Sequence, residues 1–193
     1  MAVPSPSPTK AELRAEGLRR RREYAASLTP ELRRADEVAL AYRVVAQLAL
    51  ENTIALYSPL PGEINPLLIA DIVGSDLRCV LPWFADREAP MLWRTGRATE
   101  RGPWNVLQPS NEGELLFPDL VVVPIVLADR HGIRIGHGKG HYDRALTLLR
   151  ERGGVRAIGV CWDWQVVDES IPADPWDVRL DAVATPKEWI KCA

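Results

Sequence analysis

The chain has 193 residues, 47% hydrophobic and 26% charged, with a formal net charge of −2. This composition is that of an ordinary soluble globular protein long enough for one domain with a sizeable core, and it excludes the strongly basic field of a nucleic-acid binder. Three cysteines, Cys79, Cys161 and Cys192, stand far apart without a CxxC spacing, which argues against a disulfide framework or a zinc site and fits a reducing cytoplasm.

The first residues, MAVPSPSPT, lack the apolar centre of a signal peptide. No run approaches the roughly 20 apolar residues of a membrane span, so no membrane partner is expected. Residues 1–8 are too rich in Pro and Ser to pack and are expected to form a disordered lead-in, with 9–193 as a single domain. Thr9, with Glu12 three residues on, has the capping-box spacing and predicts a helix over 10–28. Leu13, Leu18 and Ala25 are its thin apolar side, and Arg19, Arg20, Arg21 and Arg22 read as a solvated basic face. Thr29 followed by Pro30 starts a second helix, expected to run to about Leu50.

Residues 52–60 read as strand and loop, Asn65 and Pro66 open a helix to about Val73, and 77–82 form a short strand. The stretch 83–118, rich in Trp, Pro, Gly and charge, reads as hairpin and loops. Residues 119–126 form the clearest strand, a continuous β-branched run of the kind a doubly buried strand requires. Further strands are expected from Val155 and from Asp181, with a helix over 144–152 before the first of them. Strands alternating with helices imply an α/β fold with a mostly parallel sheet.

Between the strand at 119–126 and the helix at 144–152 lies RIGHGKGHYD, with Gly136, Gly138 and Gly140 at alternate positions. Ligands of open α/β sheets bind outside the carboxyl ends of strands, where this loop falls. Glycines let backbone N–H groups approach an anion, and the helix that follows adds its positive end. Lys139 and Arg134 can neutralise phosphate oxygens, and Asp143 is a hard oxygen ligand suited to Mg²⁺. The spacing is neither a Walker loop nor the GxGxxG of a dinucleotide fold. By composition alone, a flexible turn with chance charges explains the stretch equally well.

The same residues resemble the signature of the 5-formyltetrahydrofolate cyclo-ligase family. Asp119, Pro124, Asp129, Gly132, Arg134, Gly136, Gly138, Gly140, Tyr142 and Asp143 match its strand, D-x-x-G turn and glycine loop. Agreement runs in order along the chain: Lys10 to Arg14 resembles the family's K-x-x-L-R helix start, Glu63 its E-I loop, Leu81 and Pro82 its next strand, and Gln165, Pro172, Asp177 and Asp181 its closing segment. His141 stands where the family shows Tyr or Phe, and Trp176 where His or Asn is common. WNVLQP resembles an aromatic-Gly-Ile-x-Glu-Pro stretch, with Asn105 and Gln108 in place of Gly and Glu.

The resemblance implies a three-layer sandwich with a central mostly parallel sheet, helices on both faces, and an N-terminal helical pair that brings Lys10 and Arg14 near the loop. It implies a cytoplasmic, monomeric enzyme of small molecules that uses ATP and Mg²⁺ to close 5-formyltetrahydrofolate to 5,10-methenyltetrahydrofolate, releasing ADP and phosphate. By the same resemblance ATP is held by Lys10, Arg14, Arg134, Ile135, Gly136, His137, Gly138, Lys139, Gly140, His141 and Tyr142. The folate is held by Glu63 and the loop residues His137, Gly138, Lys139, Gly140 and His141. Lys139 and Arg134 are the catalytic cations, Asp143 and Asp177 the Mg²⁺ ligands, and Asp181 is structural. Trp83 and Trp104 are candidates for a wall of the pterin pocket. Two other readings stand beside this one: a paralogue with another substrate, and a nucleotide-binding module without chemistry.

Overall fold

A computed structural model describes residues 8–49 and 51–192. The expected lead-in at 1–8 therefore lies outside the described residues, apart from an exposed Pro8. The chain opens with helices α1 (Lys10–Ser27) and α2 (Pro30–Val45), strand β1 (Thr53–Ala55) and the short helix α3 (Leu68–Val73). Strands β2 (Arg78–Trp83), β3 (Leu92–Thr95), β4 (Glu100–Arg101), β5 (Leu107–Gln108), β6 (Leu120–Pro124), β7 (Leu127–Asp129) and β8 (Arg134–Ile135) follow. Helix α4 (His141–Arg152) then leads to β9 (Arg156–Val160), β10 (Val166–Val167), β11 (Ala182–Ala184) and β12 (Trp189–Lys191).

Local chemistry sets the helix starts. The Thr9 side chain accepts from the Glu12 amide, and the Glu12 carboxylate accepts from the Thr9 amide at 2.8 Å, the reciprocal pair the spacing predicts. A cap of this kind contributes about 1 kcal/mol. Thr29 caps α2 with Pro30 in its first turn. That helix stops at Val45, where Ala46 donates back to Tyr42, so it is shorter than the expected run to Leu50. Helix α3 begins at Leu68, after Asn65 has accepted from the Leu67 amide in a turn.

The central sheet has seven strands in the order β12-β11-β9-β6-β1-β2-β3. The five inner strands are parallel, and β12 and β3 run antiparallel at the two edges. Edge strand β12 has no counterpart in the sequence reading. Helices α2 and α3 pack Leu40, Val44, Leu68 and Ile69 against Ile54, Leu120 and Ile158 on one face. Helix α4 packs Leu146 and Leu149 against Val121, Val123 and Val183 on the other, which completes three layers.

The first helix has a different partner from α2 and α3. Leu13 and Leu18 pack on Val126, Leu127, Ile133 and Ile135, which belong to a small sheet of order β10-β7-β8 or flank it, rather than on the central sheet. Gly17 makes that approach possible, since a Cβ there would lie 2.8 Å from Val126 Cγ1. Gln165 locks the turn from β6 into β7: its buried amide donates to the carbonyls of Ile125 and Val126 and accepts from the Trp162 amide. These contacts lay α1 alongside the glycine loop.

Candidate active site

Strand β1 pairs with β2 on one side and with β6 on the other, so the winding of the sheet reverses between β1 and β6. In an open α/β sheet this reversal leaves a crevice at the carboxyl ends of the strands. A cavity of about 730 Å³ opens there, bordered by Tyr57 and Ser58 after β1, Pro82 in β2 and Pro124 at the end of β6. The glycine loop, the first turn of α4, the start of α1, Glu63 and the 174–177 turn complete its wall.

The loop's conformation requires glycine at two points. Gly138 has φ 85°, and a Cβ there would press the Arg14 guanidinium at 3.2 Å. Gly140 has φ 66° and caps α4 without a side-chain bond, leaving the first amides of that helix free to meet an anion. Helix α1 brings two cations to the loop, as the resemblance implies. Arg14 Nε donates to the Gly136 carbonyl at 2.8 Å. Lys10 Nζ donates to Asp174 at 2.7 Å and to Asp177 Oδ2. Burial works against the Lys10 charge, yet these two carboxylates outweigh it and raise its pKa above the ordinary lysine value.

Arg134 is buried, and its terminal nitrogens donate to the Val178 carbonyl and, at 2.6 Å, to Asp143 Oδ1. It therefore clasps the first turn of α4 to the 174–178 segment. Ile135 is buried under α1. Lys139, by contrast, is exposed and makes no hydrogen bond or ion pair with the described residues. It is an exposed cation at the rim of the cavity.

Asp143 and Asp177 both border the cavity. Each uses one oxygen inward: Asp143 Oδ1 accepts from Arg134 and the Val178 amide, and Asp177 Oδ2 accepts from Lys10 and the Asp174 amide. Their other oxygens accept no hydrogen bond from the described residues. No group of three His, Cys, Asp or Glu side chains able to hold a metal forms among the described residues. Two half-free carboxylates beside the glycine loop are the kind of donors that could hold Mg²⁺, which takes one or two carboxylates and completes its shell with phosphates and water.

Glu63 is 4% exposed, so it is no surface glutamate. Its Oε2 accepts from the Leu60 amide at 2.8 Å, and its Oε1 accepts from Arg21 Nη1 at 3.1 Å. His137 Nε2 lies 3.3 Å from the same Oε1 and 3.3 Å from Arg21 Nη2. The arginine run is therefore not uniformly a solvated face: Arg21 is 3% exposed and points inward. Arg20 stacks on the Trp164 ring, and Arg19 pairs with Glu16 and Glu23 in solvent. A signal was present, since Lys10, Arg14, Gly17 and Arg21 recur at the spacing of one helix face.

At the end of the loop, His141 joins Phe84 and Trp104 in an aromatic cluster with ring centroids 4.8 to 5.2 Å apart. Trp104 borders the cavity as expected, whereas Trp83 packs beneath the Arg94 guanidinium away from it. The cluster hangs on Gln108, whose amide accepts from the Phe84 N–H and donates to the Phe84 carbonyl, both at 3.1 Å. Asn105 has φ 63°, a left-handed conformation that Asn tolerates better than most residues. Burial, with Arg144 and Lys139 nearby, lowers the His141 pKa below its ordinary value. Burial, followed by the Glu63 charge, pushes the Tyr142 phenol up. Tyr142 also packs in the core under the sheet, near Trp93. Asp181 is structural, as expected: it accepts from Arg150 and the Ala157 amide.

The sequence model of the 5-formyltetrahydrofolate cyclo-ligase family matches residues 6–186. The chain belongs to that family. It is 31% identical to the 5-formyltetrahydrofolate cyclo-ligase of Mycolicibacterium smegmatis, across 94% of this chain and 96% of the relative. Identity to the Escherichia coli cyclo-ligase is 27%, across 87% and 98%. The 5,10-methenyltetrahydrofolate synthetase of Aquifex aeolicus has a similar solved structure, with a TM-score of 0.77, 28% identity, and 94% and 92% of the two chains covered. The synthetase from Mycoplasma pneumoniae shares the fold at a TM-score of 0.70, 24% identity, and coverage of 92% and 98%. In this cyclo-ligase family member, the glycine loop stands at the mouth of the crevice between β1 and β6.

Proposed function

We propose that this protein is an ATP- and Mg²⁺-dependent 5-formyltetrahydrofolate cyclo-ligase of the cytoplasm, acting as a monomeric single domain over residues 9–193. The observation that carries the reading is Lys139, a cation without a hydrogen-bond or ion-pair partner among the described residues, on a glycine loop that faces a cavity of about 730 Å³. Family membership and the names of the relatives support the substrate.

The reaction needs positioned phosphates more than a protein nucleophile. A formyl oxygen is a poor leaving group. Transfer of the ATP γ-phosphoryl group to that oxygen makes it a good one and releases ADP. N10 then attacks the activated carbon and gives up its proton, the C–O bond breaks, and phosphate departs, with the proton passing to it or to water, as the five-membered ring closes. Positioning and electrostatic stabilisation supply most of the rate in such transfers. Here the amides of the loop and of the α4 start cradle phosphate oxygens, with Lys10 and Arg14 beside them. Lys139 stabilises charge on the transferred group, and His137 and His141 border both substrates. Arg134 orients Asp143, and Asp143 and Asp177 are the residues that would hold Mg²⁺. The ion would neutralise phosphate charge there. Glu63 presents a carboxylate to the N–H donors of the pterin, a pairing that carboxylates make well. Phe84, Trp104 and His141 offer it a flat wall.

The test mixes purified protein, ATP, Mg²⁺ and 5-formyltetrahydrofolate and follows the near-ultraviolet absorbance of the methenyl product. Growth of that band, absent without ATP, is expected. Lys139→Ala should lower kcat about 10²- to 10³-fold, the usual effect of removing a donor aimed at developing charge. Its melting temperature should be unchanged, because Lys139 is exposed and unpaired. ATP binding with no product in the wild type would sink the folate assignment.

A further inference from the structure

We infer that Arg21 is a positioning residue for the folate end of the cavity, fixing the carboxylate of Glu63 and the ring of His137 against each other. The inference rests on the proposed function and names a residue that the glycine loop and its flanking motifs do not include.

Its basis is a contact among three distant segments. One guanidinium reaches both partners: Nη1 donates to Glu63 Oε1 at 3.1 Å, and Nη2 lies 3.3 Å from His137 Nε2. The side chains of Arg21 and Glu63 are each 4% exposed, so the pair is fully desolvated. Such a pair adds little net stability, because the loss of hydration offsets the attraction, and apolar residues of similar size often serve as well. The geometry it enforces is therefore the better account of its presence beside the cavity.

The loop that carries Glu63 is fastened without Arg21. Glu63 N donates to the Leu60 carbonyl at 3.0 Å, Arg33 donates to the Glu63 carbonyl at 2.7 Å, and Trp162 Nε1 donates to the Gly62 carbonyl at 2.9 Å. Arg21 thus acts on the side chain rather than on the backbone. With Oε2 taken by the Leu60 amide and Oε1 by Arg21, with His137 Nε2 3.3 Å from Oε1 as well, the plane of the carboxylate is set, and Oε2 keeps a lone-pair direction for a ligand. A carboxylate set in advance binds N–H donors without a further ordering cost. The same guanidinium also positions His137, whose Nε2 lies 3.3 Å from Arg21 Nη2, which can only donate, and 3.3 Å from Glu63 Oε1, which can only accept. Loop and pterin-facing carboxylate are joined through one side chain of α1, the helix that also brings Lys10 and Arg14 to the phosphate end.

The experiment measures the KM values for 5-formyltetrahydrofolate and for ATP, kcat and the melting temperature in the wild type, Arg21→Gln, Arg21→Lys, Glu63→Gln and the Arg21→Gln/Glu63→Gln double variant. Arg21→Gln should raise the folate KM about 10- to 100-fold, the range set by loss of one charge-assisted hydrogen bond. The ATP KM should stay within about twofold. Lysine restores the charge but cannot fork to both partners, so Arg21→Lys should raise the folate KM by only about fivefold. The double variant should bind folate no worse than the weaker single variant, because Arg21 acts through Glu63. A lower melting temperature with an unchanged folate KM would overturn the inference and leave Arg21 a structural residue. An equal rise in both KM values would also overturn it. Should Arg21→Gln not fold, Arg21→Lys decides: a wild-type folate KM there refutes the positioning role. No turnover in the wild type would instead remove the proposed function, and this inference with it.

Discussion

Replacing Gln108 by the glutamate common at this position in the family should damage this chain in a pH-dependent way. Gln108 is 8% exposed and matches the Phe84 backbone in both senses, accepting from its N–H and donating to its carbonyl, each at 3.1 Å. A carboxylate can replace the acceptor but not the donor. The Phe84 carbonyl would then face a second oxygen, and an unsatisfied buried group costs about 1–3 kcal/mol. A protonated carboxyl group in the Gln108→Glu variant could donate again, so burial should raise its pKa in the folded state by about 2–3 units over the unfolded value near 4.3. At about 1.4 kcal/mol per unit, the loss at pH 8 comes to about 3–4 kcal/mol. The sign follows from the raised folded pKa: the penalty is absent below the unfolded pKa, grows as pH rises toward the folded pKa, and is constant above it. Urea unfolding of both proteins at pH 5 and pH 8 measures this. The variant should lie within about 1 kcal/mol of the wild type at pH 5 and about 3–4 kcal/mol below it at pH 8. Because Gln108 hangs the aromatic wall, the folate KM should rise with the same pH dependence. Equal stability of the two proteins at pH 8 would refute the claim that this pair of hydrogen bonds holds Phe84.

Two further outcomes follow from packing and burial. Gly17→Val should push α1 off the small sheet, since a Cβ already meets Val126 Cγ1 at 2.8 Å and Leu127 Cγ at 3.1 Å. Overpacking of this kind costs about 1–3 kcal/mol. The ATP KM should rise as Lys10 and Arg14 shift, which steady-state kinetics beside a thermal melt will show. Burial pushes the Cys192 thiol up to about 11, with Asp129 and Asp181 adding to the shift, and it raises Cys79 and Cys161 as well. The thiolate is the reactive form. Alkylation of the native chain by iodoacetamide should therefore still be accelerating at pH 9.5, where an ordinary thiol with a pKa near 8.5 has levelled off. A plateau by pH 9.5 would contradict the burial of these thiols.

The elements that local chemistry controls were readable along the chain. The Thr9 and Thr29 caps, the β-branched run of β6 and the helix after the glycines depend on residues within a few positions of one another, and each forms within three residues of where the pattern puts it. Order of motifs also carried the family, with Lys10 and Arg14 on one helix face and the glycines before α4. Tertiary structure decided what depends on distant partners. Arg21 sits within a run of four arginines, and it alone is buried: helical spacing puts it on the face of Lys10, Arg14 and Gly17, but its partners there, Glu63 at 42 positions away and His137 at 116, come from across the fold. Glu63 reads as an exposed loop residue until Arg21 and the Leu60 amide enclose it. Trp83 and Trp104 each follow a proline, yet Trp83 ends β2 beneath Arg94, whereas Trp104 lies in the 103–105 turn that borders the cavity. Periodicity fixes which face of an element turns inward, because backbone geometry repeats. Which partner waits there is a property of the packed chain.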